Sequence, residues 1–134
     1  MPGFTAHDTT ARLPHSAHPH MPVRAQLRFD AELPYGVCLV LGPEGVEGGA
    51  VAWYFARDLL HDGGHEPAGY GDVRVEPGRR GEIRVTLCSG DERAVLSLSA
   101  PDVTAFLRDS YLLVPPGSES DHLDLDAALA RITA

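Results

Sequence analysis

There is no lysine in this chain. All 11 basic residues are arginine, set against 19 acidic ones, and the net charge is −8. A protein this acidic does not grip nucleic acid or anionic lipid through bulk electrostatics, so neither is expected as a partner. Cysteine is nearly absent. Cys38 and Cys88 stand alone in strand-like runs and are expected as two reduced thiols rather than a disulfide. No apolar run approaches the ~18 residues of a membrane-spanning helix. The longest, Val37 to Leu41, is bounded by Gly36 and Gly42, and no membrane insertion is expected. The N-terminus, MPGFTAHDTTARLPHSAHPH, lacks the basic start and apolar stretch of a signal peptide, which predicts a cytoplasmic location. No Walker loop, GxSxG or HExxH occurs, and neither cysteine sits in a nucleophile motif. No catalytic residue, cofactor or metal site is therefore expected.

What is present is enough for one domain. The chain has 134 residues, 43% of them hydrophobic, which supports a single core and leaves no room for two. Residues 1–21 are polar and rich in His and Pro. They read as a flexible N-terminal arm with a short strand near Thr9–Leu13, ahead of a domain over 22–134.

Regular patterning starts at RAQLRF (24–29), where Ala25, Leu27 and Phe29 alternate with Arg24, Gln26 and Arg28. YGVCLVL (35–41) is apolar at nearly every position, so both of its faces should be covered. After the Gly-rich turn GPEGVEGG comes AVAWYF (50–55), then a first helix over 56–62 closed by Gly63 and Gly64. Glycine there suits the left-handed conformation beyond a C-cap. DVRVE (72–76), EIRVTLC (82–88) and RAVLSLS (93–99) give three further strands. Ser99 can cap a second helix, with Pro101 and Asp102 in its first turn and Val103, Phe106, Leu107 and Tyr111 on one face. A third helix is expected from Asp124, with Leu125, Ala128, Leu129 and Ile132 on its apolar stripe. Short turns make the sheet antiparallel, and the class is α+β.

Several side-chain groups invite a chemical reading. His15, His18 and His20 cluster, but between Pro14 and Pro19 on no rigid scaffold, where a solvated segment is the plain reading. His61 and His65 are separated by Gly63–Gly64 and need not share a face. Asp121, Asp124 and Asp126 are explained by helix capping more simply than by Mg²⁺ binding or acid–base work. Arg79, Arg80 and Arg84 could hold phosphate, yet Glu76 and Glu82 flank them, so they read as a solvated hairpin tip. Arg57 and Asp58 diverge on a helix and cannot form one site; one of them should pair with another segment to fix the corner after AVAWYF. Val40, Val95 and Cys88 lie opposite the expected core face. They need cover from helices or from another subunit.

Three stretches, MPVRAQLRFDAELPYGV, VAWYFARDLLHDGGHEPAGYGDVRVEP and FLRDSYLLVPPGSESDHLDLDAAL, carry a family pattern in order and spacing. FARDLL, GDVRV and VPPG are its specific marks, and the chain resembles the SsgA-like sporulation and cell-division proteins of filamentous actinobacteria from about Met21 to Leu129. Glu76 departs from the pattern, in which many relatives carry Trp. The resemblance implies a non-enzymatic regulator of sporulation-specific cell division, an oligomeric adaptor placed at the septum. It would recruit septum machinery, with FtsZ, another divisome or cell-wall protein, or another SsgA-like protein as partner. It also implies a homotrimer and a fold of two packed antiparallel β-sheets with about three α-helices, similar to the Whirly and mitochondrial RNA-binding proteins. That likeness carries a second reading, single-stranded nucleic-acid binding, for which Arg24, Arg28, Trp53 and Tyr54 could supply a fragment of a basic, stacking groove.

Overall fold

The computed structural model describes residues 3–42 and 50–122. Seven strands follow in chain order: β1 (Phe4–Arg12), β2 (Val23–Asp30), β3 (Gly36–Leu41), β4 (Val51–Ala56), β5 (Val73–Pro77), β6 (Glu82–Ser89) and β7 (Glu92–Ser99). Helix α1 (Arg57–Gly63) follows β4 directly. Helix α2 (Ala100–Leu113) follows β7, and a 3-10 turn (Glu119–His122) comes after it.

The strands form one antiparallel sheet in the order β4-β3-β2-β1-β7-β6-β5. This corrects the expectation of two packed sheets with about three helices. The described residues hold one sheet and two α-helices, and the helix expected from Asp124 lies outside them. The cause is β1. It pairs with β2 along eight residues, Phe4↔Asp30 to Ala11↔Val23, and on its other side meets β7 through Ala11↔Leu98 and Arg12↔Ser97. That narrow seam fuses two meanders, β1 to β4 and β5 to β7, into one sheet. α1 leaves β4 at one edge and packs on β5 at the other, so the sheet curls toward a closed barrel. Within residues 1–21, Phe4–Arg12 is thus a central strand.

The core fills the concave face. Leu27, Phe29, Val37, Leu39, Val75, Val85, Leu96 and Leu98 meet Val103 and Phe106 of α2 there. Ser99 caps α2 as the sequence predicts: its Oγ accepts from the Asp102 N–H at 3.3 Å. The inward face of β1 is more polar. Thr9 Oγ1 donates to Asp102 Oδ2 at 2.6 Å, and His7 Nε2 lies 2.7 Å from Asp109 Oδ2. Two acids of α2 therefore satisfy polar groups where an apolar strand would present methyl groups. The β3 run is covered on both faces: Cys38 and Val40, on the convex side, are buried along with Val37 and Leu39. Val95, also convex, is buried, and Cys88 is half-buried.

The glycines that close α1 do so for a different reason from the one expected. Gly64 is right-handed, at φ −74° and ψ −15°. Gly63 is the last helical residue, and a Cβ there would lie 2.3 Å from Val75 Cβ. Close approach of α1 to β5 requires this glycine. Left-handed backbone plays no part in it.

Candidate functional site

β4 is an edge strand, and among the described residues one side of its backbone has no strand partner. Its alternation puts Trp53 and Phe55 against the core and Tyr54 outward, 73% exposed. Tyr54 pairs with Cys38 of β3, which pairs with Arg28 of β2. Phe4, at the start of β1, pairs with Asp30 at the end of β2, and Leu33 follows in the β2–β3 turn. Phe4, Leu33 and Tyr54 are all exposed and border a cleft of about 220 Å³ that Phe29, Val37 and Cys38 also line. Arg28 and Asp30 supply charge at its rim. Tyr35, in the same turn as Leu33, is exposed nearby in sequence. The Tyr54 phenol is held above its ordinary pKa, first by its hydrogen bond to Cys38 and then by that group's charge; Arg28 pulls it the other way. A phenol kept neutral is available as a hydrogen-bond donor at the cleft mouth.

Beneath this edge the chain turns a corner on Arg57. The side chain is 1% exposed. Its Nη1 donates to Val114 O at 2.8 Å and Ser110 O at 3.2 Å, and lies 3.4 Å from Ser110 Oγ. These carbonyls end α2, where the dipole favours a cation; Ser110 O also accepts the Val114 N–H at 2.9 Å. Nη2 reaches Glu119 Oε1 at 3.4 Å. The guanidinium lies between the rings of Phe29 and Tyr111, 4.8 Å from each centroid, a stacking that an ammonium would not match. Burial raises the Tyr111 pKa, against the pull of Arg57. The first residue of α1 is therefore the C-terminal cap of α2. This answers which member of the Arg57–Asp58 pair fixes the corner, since Asp58 is exposed.

The other groups singled out from the sequence are dispersed. Trp53 packs on the core, so of the proposed nucleic-acid fragment only Arg24, Arg28 and Tyr54 face outward, spread over β2 and β4. His61 and His65 do meet, their rings tilted by 58° with centroids 5.2 Å apart, and His61 Nδ1 lies 3.1 Å from Asp62. Asp121 is in the 3-10 turn, whereas Asp124 and Asp126 lie outside the described residues. No group of three or more His, Cys, Asp and Glu side chains with metal-binding geometry occurs among the described residues. Cys38 and Cys88 are free thiols. His15 and His20 share a cleft with Arg79 and Arg84, which sequence spacing alone could not show. No described helix is long and apolar enough to cross a membrane.

A curled seven-stranded sheet, capped by α2 and presenting an aromatic cleft beside an open edge, defines a class of small domain that offers a surface. The family model described as Streptomyces sporulation and cell division protein SsgA matches residues 23–119, and the chain belongs to this family. Sporulation-specific cell division protein SsgB of Salinispora tropica is 42% identical over 130 residues, 95% of this chain and 91% of its own. SsgB of Streptomyces coelicolor is 41% identical over 126 residues, 92% of this chain and 90% of its own. A solved structure from work on SsgB and longitudinal cell division in S. coelicolor matches with a TM-score of 0.81 at 36% identity, covering 91% of this chain and 97% of that one. An SsgA-like sporulation-specific cell division protein from Thermobifida fusca gives a TM-score of 0.78 at 29% identity, with 96% and 94% covered.

Proposed function

We propose that this protein is a non-enzymatic adaptor of sporulation septation that docks a septum protein on the cleft beside β4. The observation that carries the reading is the exposure of Phe4, Leu33 and Tyr54 around one cleft at an open strand edge. Buried aromatic anchors dominate most protein interfaces, and an edge strand adds backbone hydrogen bonds. The sporulation-specific division role of the relatives supports the process. FtsZ, or another member of the SsgA family, is the proposed partner, with the protein itself assembled as a homotrimer in the cytoplasm at the septum.

The test is binding of purified FtsZ by the intact protein and by a Phe4→Ser/Tyr54→Ser variant. Loss of two interface anchors should weaken binding by a hundredfold or more, with about 2 kcal/mol expected for each well-packed aromatic. Stability should stay within about 0.5 kcal/mol, since both side chains are exposed. Unchanged affinity would move the contact elsewhere. Light scattering after size-exclusion chromatography reads the oligomer independently, and a strict monomer at micromolar concentration would remove the trimer.

A further inference from the structure

A second cleft, of about 380 Å³, opens on the convex face at the far side of the sheet, lined by Arg12, Arg79, Arg84, Ser97, Glu82 and the histidines of the β1–β2 connection. The strand registers build its floor. Arg12 pairs with Ser97, and Ser97 pairs with Arg84, so the three sit abreast across β1, β7 and β6. Neighbours in such a row have Cβ atoms ~5 Å apart, which leaves two guanidinium groups flanking one hydroxyl. Arg79 comes from the β5–β6 turn, held by Glu82 N–H to Arg79 O at 2.8 Å and Gly78 N–H to Glu82 O at 3.0 Å. The β1–β2 connection forms the opposite wall with Pro14, His15, Pro19 and His20. It too is hydrogen-bonded in place, Ser16 N–H to Leu13 O at 3.0 Å and Met21 N–H to His18 O at 3.1 Å.

Two features mark this cleft as a binding site rather than a solvated surface. Three arginines gather against one carboxylate, in a chain where acids outnumber arginines 19 to 11. None of the three forms an ion pair among the described residues. Moreover, Arg84 Nε is buried without a hydrogen-bond partner, and it is the one such side-chain atom among the described residues. A buried unpaired donor is costly and calls for an acceptor.

We propose that this cleft binds a dianionic phosphate group, held by the guanidinium groups of Arg12, Arg79 and Arg84 and by the Ser97 hydroxyl. Guanidinium forks match the spacing of phosphate oxygens, and the bonds are charge-assisted. Within the lining, three guanidiniums exceed Glu82 by two charges, which a phosphate dianion matches and a single carboxylate does not; Glu76, the cross-strand neighbour of Arg84, is turned to Arg74 at 3.8 Å. The cleft exceeds a phosphate group in size and falls in the ~300–1,000 Å³ range of small-molecule pockets. Pro14 and Pro19 give it apolar wall, which favours a phosphate monoester with a small organic part. No Phe, Tyr or Trp lines it, so it lacks the stacking platform of a nucleic-acid groove.

The test is a titration of the full chain followed by NMR of the arginine Nε–H signals, at constant ionic strength. Glycerol 3-phosphate, inorganic phosphate and succinate serve as probes. The expected result is a saturable shift of the Arg84 Nε–H with glycerol 3-phosphate at millimolar concentration or below, and a much weaker response to succinate. Inorganic phosphate binding as tightly as the ester retains the phosphate site and assigns it to the free anion. Arg79→Gln, at an exposed turn, should weaken phosphate binding roughly tenfold through loss of one charge-assisted contact. Arg84→Gln should do the same and remove the reporting signal, so its affinity is read from Arg12. No saturation with either phosphate, or succinate binding equally well, overturns the proposal. An Arg79→Gln variant that binds like the parent does so as well.

Discussion

Arg57→Ala is expected to cost about 3–5 kcal/mol, the range for breaking a buried charge network from one side. For a chain of this size that is a fall in Tm of roughly 10–20 °C. The loss has three parts: the Val114 carbonyl loses its side-chain donor and the Ser110 carbonyl the second of its two donors, Glu119 loses its cation, and a cavity opens between Phe29 and Tyr111. Arg57→Lys tests the mechanism. It keeps the charge but cannot reach both carbonyls and Glu119 with a planar fork, and it should recover only part of the loss. Thermal unfolding followed by circular dichroism reads all three proteins. A shift of a degree or two for Arg57→Ala would show that α2 does not depend on this cap.

The network also explains why two marks of the family occur together. FARDLL supplies Arg57, and the stretch VPPGSE supplies Val114 and Glu119. Glu119 in turn accepts from the Gly117 N–H at 2.6 Å, which holds the turn that presents it. Segments more than 50 residues apart in sequence therefore encode one joint.

The second large effect is at Gly63. A Cβ there would lie 2.3 Å from Val75 Cβ and Cγ1 and 2.8 Å from Val75 C. Val75 is fully buried and paired with Val85, so β5 must shift as a strand to make room. Overpacking of this kind usually costs 1–3 kcal/mol, and contact with backbone puts Gly63→Ala at about 3 kcal/mol or beyond. Gly64→Ala is the matched control. Its Cβ finds only ordinary contacts, 3.4 Å to His61 O and 3.6 Å to Ile83, on a right-handed backbone. It should leave stability unchanged or slightly raised. Equal losses for the two variants in chemical denaturation would refute close packing as the reason for Gly63.

Six strands and both described helices follow from local pattern. β2, β5 and β6 alternate, β3 is apolar throughout, and the Ser99 cap opens α2 where its sequence indicates. β1 was legible only in part: the short strand expected near Thr9–Leu13 overlaps its last four residues, Thr9 to Arg12. Of its inward residues Thr5, His7, Thr9 and Ala11, only Ala11 is apolar, so the period-2 signal is weak. The partners that make a polar strand face tolerable, Asp102 and Asp109, lie 93 and 102 residues away. The choice between two sheets and one rested on the same strand, because two residue pairs to β7 decide it. The candidate surfaces were legible in part. Alternation along AVAWYF puts Tyr54 on the face opposite Trp53, but its grouping with Phe4 and Leu33 depends on the β1–β2 and β3–β4 registers. The Arg79–Arg84 pair looked like a hairpin tip because Arg12 and Ser97, its neighbours across the strands, are remote in sequence.

The two-pair join between β1 and β7 is the strand pairing that links two leaves, which α1 and α2 also bridge. Each leaf is built from strands adjacent in sequence and closes short loops, whereas the join closes a span of more than 80 residues and is last to be favoured in folding. Arg12 and Arg84 flank that join across Ser97, and the anion proposed for this cleft would sit between them. It ties one leaf to the other, and by linkage it stabilises the joined form in proportion to how tightly it binds.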